Sequence, residues 1–305
     1  MRISINGSTQ LIEPDIDTLV AHAAGAAADG LAGWWLAQTG LVDALTVLAV
    51  AAERAPGIEL GTAVVPTFPV HPTALAAKAL TTQAVTGGRL ALGIGVNHAP
   101  VVEQVWGRRF ERPIRHVLDY LDGLQALLTE GRADHAGEIF TTRFEAPRPT
   151  DDPPSVLLAA LGPQMLRIAG RRTDGTVLWM TGPRTIADHI APTLRAAAEA
   201  AGRPEPRIVC SLPIAVTDDE KAVREFVDVV LARYGELPSY RAVLDREGVR
   251  GPGDVMVCGD EDAVREQLAA IAAAGATEFA AAEIGRDDEE LARTRALLAA
   301  VAADA

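Results

Sequence analysis

Short apolar runs recur along the chain at 2–5, 33–36, 58–64, 89–94, 155–159, 176–180, 207–216 and 278–282. They are continuous rather than alternating, the pattern of strands covered outside by helices and packed together in a centre. Helical stretches with their own start and stop signals lie between them. Pro72-Thr73 opens a helix over 74–86 that Gly87-Gly88 ends, Pro113 opens 114–128 before Gly131, and Gly162-Pro163 opens 164–170. Gly182-Pro183 precedes 185–201, Thr217-Asp218 precedes 220–234, Asp260 or Asp262 caps 263–274, and Asp287-Asp288 leads 289–302. Eight strands alternating with helices predict a parallel α/β sheet closed as a (β/α)8 TIM barrel, one domain over 1–305. An open doubly wound sheet would place Gly-x-Gly-x-x-Gly after the first strand, where Asn6-Gly7-Ser8 stands instead. The stretches 131–154 and 235–258 exceed the minimal repeat and are expected as insertions at the C-terminal rim.

In such a barrel the chemistry lies at the C-terminal ends of the strands. The fourth run is the most informative: Arg89-Leu90-Ala91-Leu92-Gly93-Ile94-Gly95-Val96-Asn97-His98. Glycine weakens a strand, so Gly93 and Gly95 predict a flat group close to the backbone, and Asn97-His98 adds a polar pair. His98 taken alone would serve as a surface cap or structural hydrogen-bonder; its place past the glycines favours an active-site donor. Of Trp34 and Trp35, one should face the helices, and the other, with Gln38, could line a pocket for a flat ring. The Gly162-Pro163 and Gly182-Pro183 turns each open a helix, where free amides and the helix dipole can hold a phosphate. The remaining histidines His22, His116, His135 and His189 read as surface residues, and His71 as part of a helix entry.

Composition narrows the chemistry. With 49% hydrophobic residues the chain can bury a large core, and no apolar run has the length of a membrane span. The N-terminus enters a strand directly, with no secretory leader, so cytoplasm is the default. Two cysteines, Cys210 and Cys258, form no disulfide framework or cysteine metal site. The net charge of −13 argues against nucleic acid. The only lysines, Lys78 and Lys221, fall within helices, which removes a Schiff-base barrel. Strand ends carry neither the histidine–carboxylate sets of a metal site nor two carboxylates for glycoside chemistry, Glu283 being the one evident there. A cofactor is then the expected source of the hard chemistry.

With these residues in hand, the chain resembles the bacterial-luciferase-like monooxygenase superfamily, and within it the coenzyme F420 (deazaflavin)-dependent oxidoreductases. The resemblance rests on Met1-Arg2-Ile3-Ser4-Ile5, on Gly61-Thr62-Ala63-Val64-Val65-Pro66-Thr67 with His71-Pro72, and on Gly88-Arg89 through Gly95. It continues through Trp106-Gly107, Arg112-Pro113, Ala160-Leu161-Gly162-Pro163, and Ala169-Gly170 to Asp174-Gly175. Trp179 through Arg184 and Pro238-Ser239-Tyr240-Arg241 complete it. It implies a barrel that transfers a hydride at a deazaflavin ring, with a non-prolyl cis peptide at Ala63–Val64 behind the ring. Trp35, Gln38 and His98 would face the ring, His98 as proton donor. Asn6, Ala63, Val64, Gly93, Gly95 and Asn97 would surround it, and Leu161, Gly162, Pro163, Gln164, Met165, Thr181 and Gly182 would hold the phosphate-bearing tail. Some relatives carry glutamate at the position of His98 and histidine at that of Gln38, so this chain departs from their proton relay. Relatives pair as dimers, which would here use the helices at 75–85 and 114–128. The alternatives are an FMN-dependent monooxygenase of the same barrel and a non-catalytic cofactor-binding barrel. The substrate is a small organic molecule whose identity the insertions would set.

Overall fold

The structure, a computed structural model, describes residues 1–304. Eight parallel strands close into a barrel: β1 (Arg2–Asn6), β2 (Gly33–Leu36), β3 (Glu59–Thr62), β4 (Leu90–Gly95), β5 (Ser155–Leu158), β6 (Gly175–Trp179), β7 (Arg207–Val216) and β8 (Glu278–Glu283). Pairing of β7 with both β6 and β8 closes the ring. Every expected run supplies a strand, but the third is interrupted. It stops at Thr62, the Ala63–Val64 peptide is cis, and the chain resumes as Val65–Pro66 beside the end of β4. A ninth short segment, Val257–Gly259, adds to the C-terminal half of β7 outside the ring.

The helical layer comprises α1 (Ile16–Ala28), α2 (Ala44–Ala51), α3 (Pro72–Val85), α4 (Pro113–Glu130), α5 (Pro163–Arg172), α6 (Ala191–Glu199), α7 (Glu220–Val230), α8 (Pro238–Glu247), α9 (Glu261–Ala273) and α10 (Asp288–Ala303). Aspartates at 15, 43, 219, 260 and 287 cap α1, α2, α7, α9 and α10 by accepting from first-turn amides, which supplies partners for otherwise orphaned donors. Among the described residues no helix is long and apolar enough to cross a membrane.

Side chains from alternate positions fill the barrel. Trp35, Ala91, Leu157, Val177, Val209 and Ala280, one from each of six strands, form a buried cluster of their own. Trp35 is the large piece, and it fits because Gly61 beside it has no side chain: a Cβ there would lie 2.2 Å from the indole. Beneath it, at the N-terminal end, sits an ionic plug. The fully buried Glu278 accepts from Ser4 Oγ (2.6 Å), Trp35 Nε1 (2.7 Å) and Arg207 (2.7 Å), and Arg207 also binds Glu59 at 2.6 Å. Trp34 points the other way, into the helical layer, and donates to His22 Nδ1 (3.1 Å).

The two insertions behave differently. The stretch 131–154 leaves and rejoins the barrel at the N-terminal end, where Asp152 meets Gln83 near the close of α3. Between those points the hairpin Arg132–Ala136/Thr141–Glu145 lies along α4, and only its tip, through Phe140 against His71 and His116, reaches towards the C-terminal rim. This corrects its expected position at or near the rim: a segment that follows a barrel helix starts at the opposite end from the strand tips. The stretch 235–258 does stand at that rim, as helical turns rather than an open loop.

His116 is not a surface residue as expected. It is 2% exposed, stacked on Phe68 at 3.9 Å and bonded to Thr67 Oγ1 at 2.9 Å. Burial first, then the nearby Arg108 charge, brings its pKa down to about 4, with Asp119 opposing. A histidine depressed in the folded state below its ordinary 6.5 takes up protons on unfolding, so its contribution to stability is lost as pH falls from 6.5 towards 4. We expect the urea midpoint to drop over that window, and to drop less in His116→Phe. An identical pH profile for the two proteins would refute the assignment.

Candidate active site at the barrel mouth

Continuing the inward alternation towards the C-terminal end brings Asn6, Gly93, Gly95, Ala159, Trp179, Ser211 and Ala282 to the mouth. All but Trp179 are small. The two glycines are needed there, though not to admit a ligand directly. A Cβ on Gly93 would lie 2.0 Å from the Thr62 carbonyl, and one on Gly95 would lie 2.9 Å from Val64 Cγ2. The pair makes room for the bulge at Ala63–Val64, which turns the Val64 side chain inward against the barrel cluster. The close approach expected of the glycines is therefore filled by the chain's own backbone and by the Val64 side chain that rests on them.

The expected site residues fall into two groups. Trp35 is fully buried in the barrel interior with its indole N–H bound to Glu278, so it supports the mouth from beneath and does not line it. Gln38 turns its amide outward to brace the loop before α2, donating to the Val42 carbonyl (2.9 Å) and accepting from Ala44 N (2.7 Å). Asn6 spends its amide on Ser211 Oγ (2.9 Å) and on the backbone of Ser8 (3.1 Å), tying β1 across to β7. Those three positions are thus occupied by structural work.

His98 stands at the mouth. Asn97 adopts a left-handed conformation (φ 62°) and accepts from the His98 amide at 2.7 Å, a turn that places His98 three residues past the end of β4. The imidazole ring lies 5.3 Å from that of Tyr240. Its pKa is lowered from 6.5, by burial first and then by the charge of Arg233. His98 is therefore neutral at pH 7.

The two Gly-Pro turns differ sharply. Gly162 and Pro163 are exposed at the start of α5, no side chain caps that helix, and nothing lies within 4 Å of where a Gly162 Cβ would be. With Gln164, also exposed, and Met165 following, this end is open to an anion. At Gly182-Pro183 the corresponding place is taken. The Glu247 carboxylate, from the end of α8, accepts from the Arg184 amide (3.0 Å) and the Thr185 amide (2.7 Å). A Gly182 Cβ would lie 2.5 Å from it. Thr181 is buried and bonds back to the Trp179 carbonyl (3.1 Å). The turn at Thr181 and Gly182, expected to cradle a phosphate, is instead occupied by an internal carboxylate that the Arg184 and Thr185 amides hold. Leu161 presents its carbonyl to His189 Nε2 (2.9 Å), so that histidine is a structural donor rather than a free surface group. His22 is likewise held, between Trp34 and Glu283, and Glu283 is bound by Arg295.

Reading the sequence missed Arg233, Tyr234 and Glu247 and gave Tyr240 no role at the site; Arg233 and Tyr234 stand just before the insertion at 235–258, and Tyr240 and Glu247 lie in it. The chain has three tyrosines, and the pair at 234 and 240 was a visible signal.

Comparison with known proteins follows the same lines. The family model for luciferase-like monooxygenases matches residues 2–278. The putative coenzyme F420-dependent oxidoreductase of Mycobacterium tuberculosis is 26% identical over 283 residues, covering 77% of this chain and 82% of that one. The coenzyme F420-dependent tetrahydromethanopterin reductase of Methanopyrus kandleri superposes with a TM-score of 0.81 at 20% identity, covering 98% and 97% of the two chains. The oxygenating constituent of 3,6-diketocamphane monooxygenase from Pseudomonas putida, solved with FMN, superposes with a TM-score of 0.79 at 16% identity over 98% and 97%. A match over nearly the whole barrel, together with the bulge and mouth it encloses, makes this chain a member of the luciferase-like monooxygenase family.

Proposed function

We propose that the protein is a coenzyme F420-dependent oxidoreductase that moves a hydride between the deazaflavin and a small organic substrate. The observation that carries this reading is the mouth itself: a Val64 platform on Gly93 and Gly95, with neutral His98 beside it and the open Gly162-Pro163 turn at the start of α5. A flat ring fits the platform, and a phosphate fits the uncapped helix end. The relatives named as F420-dependent support the deazaflavin over other flavins. Bound there, the cofactor supplies hydride transfer, which no side chain provides.

The chain's own part is to hold and move a proton. Neutral His98 accepts the proton of a substrate hydroxyl as that carbon is oxidised, through an imidazole nitrogen, and returns it in the reverse direction. Val64 and the Gly93–Gly95 backing set the plane of the ring, and the amides after Pro163 receive the phosphate. Trp35 and the Glu278 plug keep the floor of the mouth in place.

Titration of the full chain with coenzyme F420 and with FMN tests this. We expect the deazaflavin to bind at least about tenfold tighter, or 1.4 kcal/mol. Equal affinities, or tighter FMN, would shift the assignment to an FMN-dependent monooxygenase. Binding without turnover of any electron acceptor would make it a cofactor-binding barrel.

A further inference from the structure

The segment 232–247, which follows α7, completes a group of four aromatic rings at one side of the mouth. Tyr234 and Trp179 meet edge to face at 6.0 Å, Tyr234 and Tyr240 at 5.0 Å, and Tyr240 and His98 at 5.3 Å. The row runs from the end of β6 to the turn after β4, passing over β5. Aromatic residues are only 4% of the chain, so such a cluster is a concentration.

We propose that Trp179, Tyr234, Tyr240 and His98 form a substrate wall that takes a flat, apolar, uncharged molecule, with Glu247 as the residue that positions it. This rests on the reading of the His98 side of the mouth as the reacting side. The wall presents ring faces and neutral donors. Burial holds both phenols protonated, His98 is neutral, and the indole N–H of Trp179 is buried without a partner in hydrogen-bonding geometry. Offset or edge-on stacking on such a surface favours planar apolar groups.

Charges of both signs flank this side, Glu247 at the turn after β6 and Arg233 near His98. The backbone cradle at Gly182-Pro183 is already filled by Glu247, and the one at Gly162-Pro163 is the place given to the cofactor's phosphate. That carboxylate adds a negative charge of its own. Arg233, next to Tyr234, is exposed and has no ion pair among the described residues. It is the group through which an anionic substrate would bind instead.

Glu247 acts on the wall from two helical turns away. Tyr240 and Glu247 are both on α8, and the carboxylate anchors the far end of that helix to the turn after β6. The lack of a side chain at Gly182 is what admits it. Because the hydrogen bonds of Glu247 go to the Arg184 and Thr185 amides, its removal should loosen the wall without altering the cofactor platform.

The test is equilibrium binding of 2-naphthol and of glucose 6-phosphate to the full chain, with and without bound deazaflavin, read by tryptophan fluorescence and calorimetry. We expect 2-naphthol to bind about tenfold tighter or better. Tyr240→Ala should weaken it about threefold to tenfold, while Tyr240→Phe stays within about twofold. Glu247→Gln should weaken 2-naphthol much as Tyr240→Ala does and leave deazaflavin affinity unchanged. If Tyr240→Ala does not fold, Tyr234→Ala and Glu247→Gln carry the same comparison. Tighter glucose 6-phosphate binding that Arg233→Ala abolishes would overturn the proposal, as would folded variants indifferent to 2-naphthol. Should the deazaflavin fail to bind while 2-naphthol still depends on Tyr240, the cofactor reading falls and the wall stands.

Discussion

His98→Ala is expected to lower kcat by about 10²–10⁴ while leaving deazaflavin affinity nearly unchanged. A positioned acid or base acts on the transition state, and its loss costs rate rather than ground-state binding. His98→Gln should be almost as slow, because an amide forms hydrogen bonds without exchanging a proton at neutral pH. The pH dependence follows from the lowered pKa. In the direction of substrate oxidation the neutral form is the active base, so kcat/KM should be flat around pH 7 and fall only as pH drops through a value below 6.5. In the reverse direction the protonated form is required, and the rate should rise over the same interval. The expectation of a proton donor is thereby made specific to one direction. If His98 only braces its loop, the Gln variant keeps most activity and both variants lose stability instead. A wild-type kcat for His98→Gln on a turned-over substrate would exclude the proton-transfer role.

Glu278→Ala is expected to cost about 3–5 kcal/mol of stability, the range for removing one partner of a buried ion pair. The carboxylate is fully buried, accepts from three groups at once and also pairs with Arg2 at 3.6 Å. Without it the Trp35 indole N–H and the Ser4 hydroxyl are left without that acceptor, and Arg207 keeps only Glu59. Glu278→Gln should cost less, since its amide retains one acceptor for the indole and serine while losing the charge opposite Arg207. Urea unfolding checks both: the midpoint should move at constant m value. An unfolding free energy for Glu278→Ala within about 1 kcal/mol of wild type would show that water fills the plug at little cost.

Both residues illustrate why the fold was more legible than the site. The eight strands follow from runs of apolar residues, because a strand covered on both sides must be apolar at every position. Prolines at 72, 113 and 163 mark helix starts for a similarly local reason: a fixed φ and a missing N–H suit the first turn. The glycines at 93 and 95 signalled a close approach, since nothing else explains two in one buried strand. What approaches them was not in the local sequence. The Thr62 carbonyl and the Val64 side chain arrive from a neighbouring strand some thirty residues earlier in the chain.

The same limit governs the rest of the mouth. By itself the sequence determined the barrel, the strand-end position of His98 and the presence of two helix-opening Gly-Pro turns, all properties of neighbours within a few residues. Only the tertiary structure decided that one turn is open and the other is sealed by Glu247, 65 residues further along the chain. It likewise decided that Trp35 fills the barrel while Gln38 and Asn6 spend their amides on the protein, that His116 is buried, and that Tyr240 comes to His98. The partner that satisfies a donor, a charge or a ring face is chosen by whatever the fold brings near, and sequence separation places no bound on where it comes from.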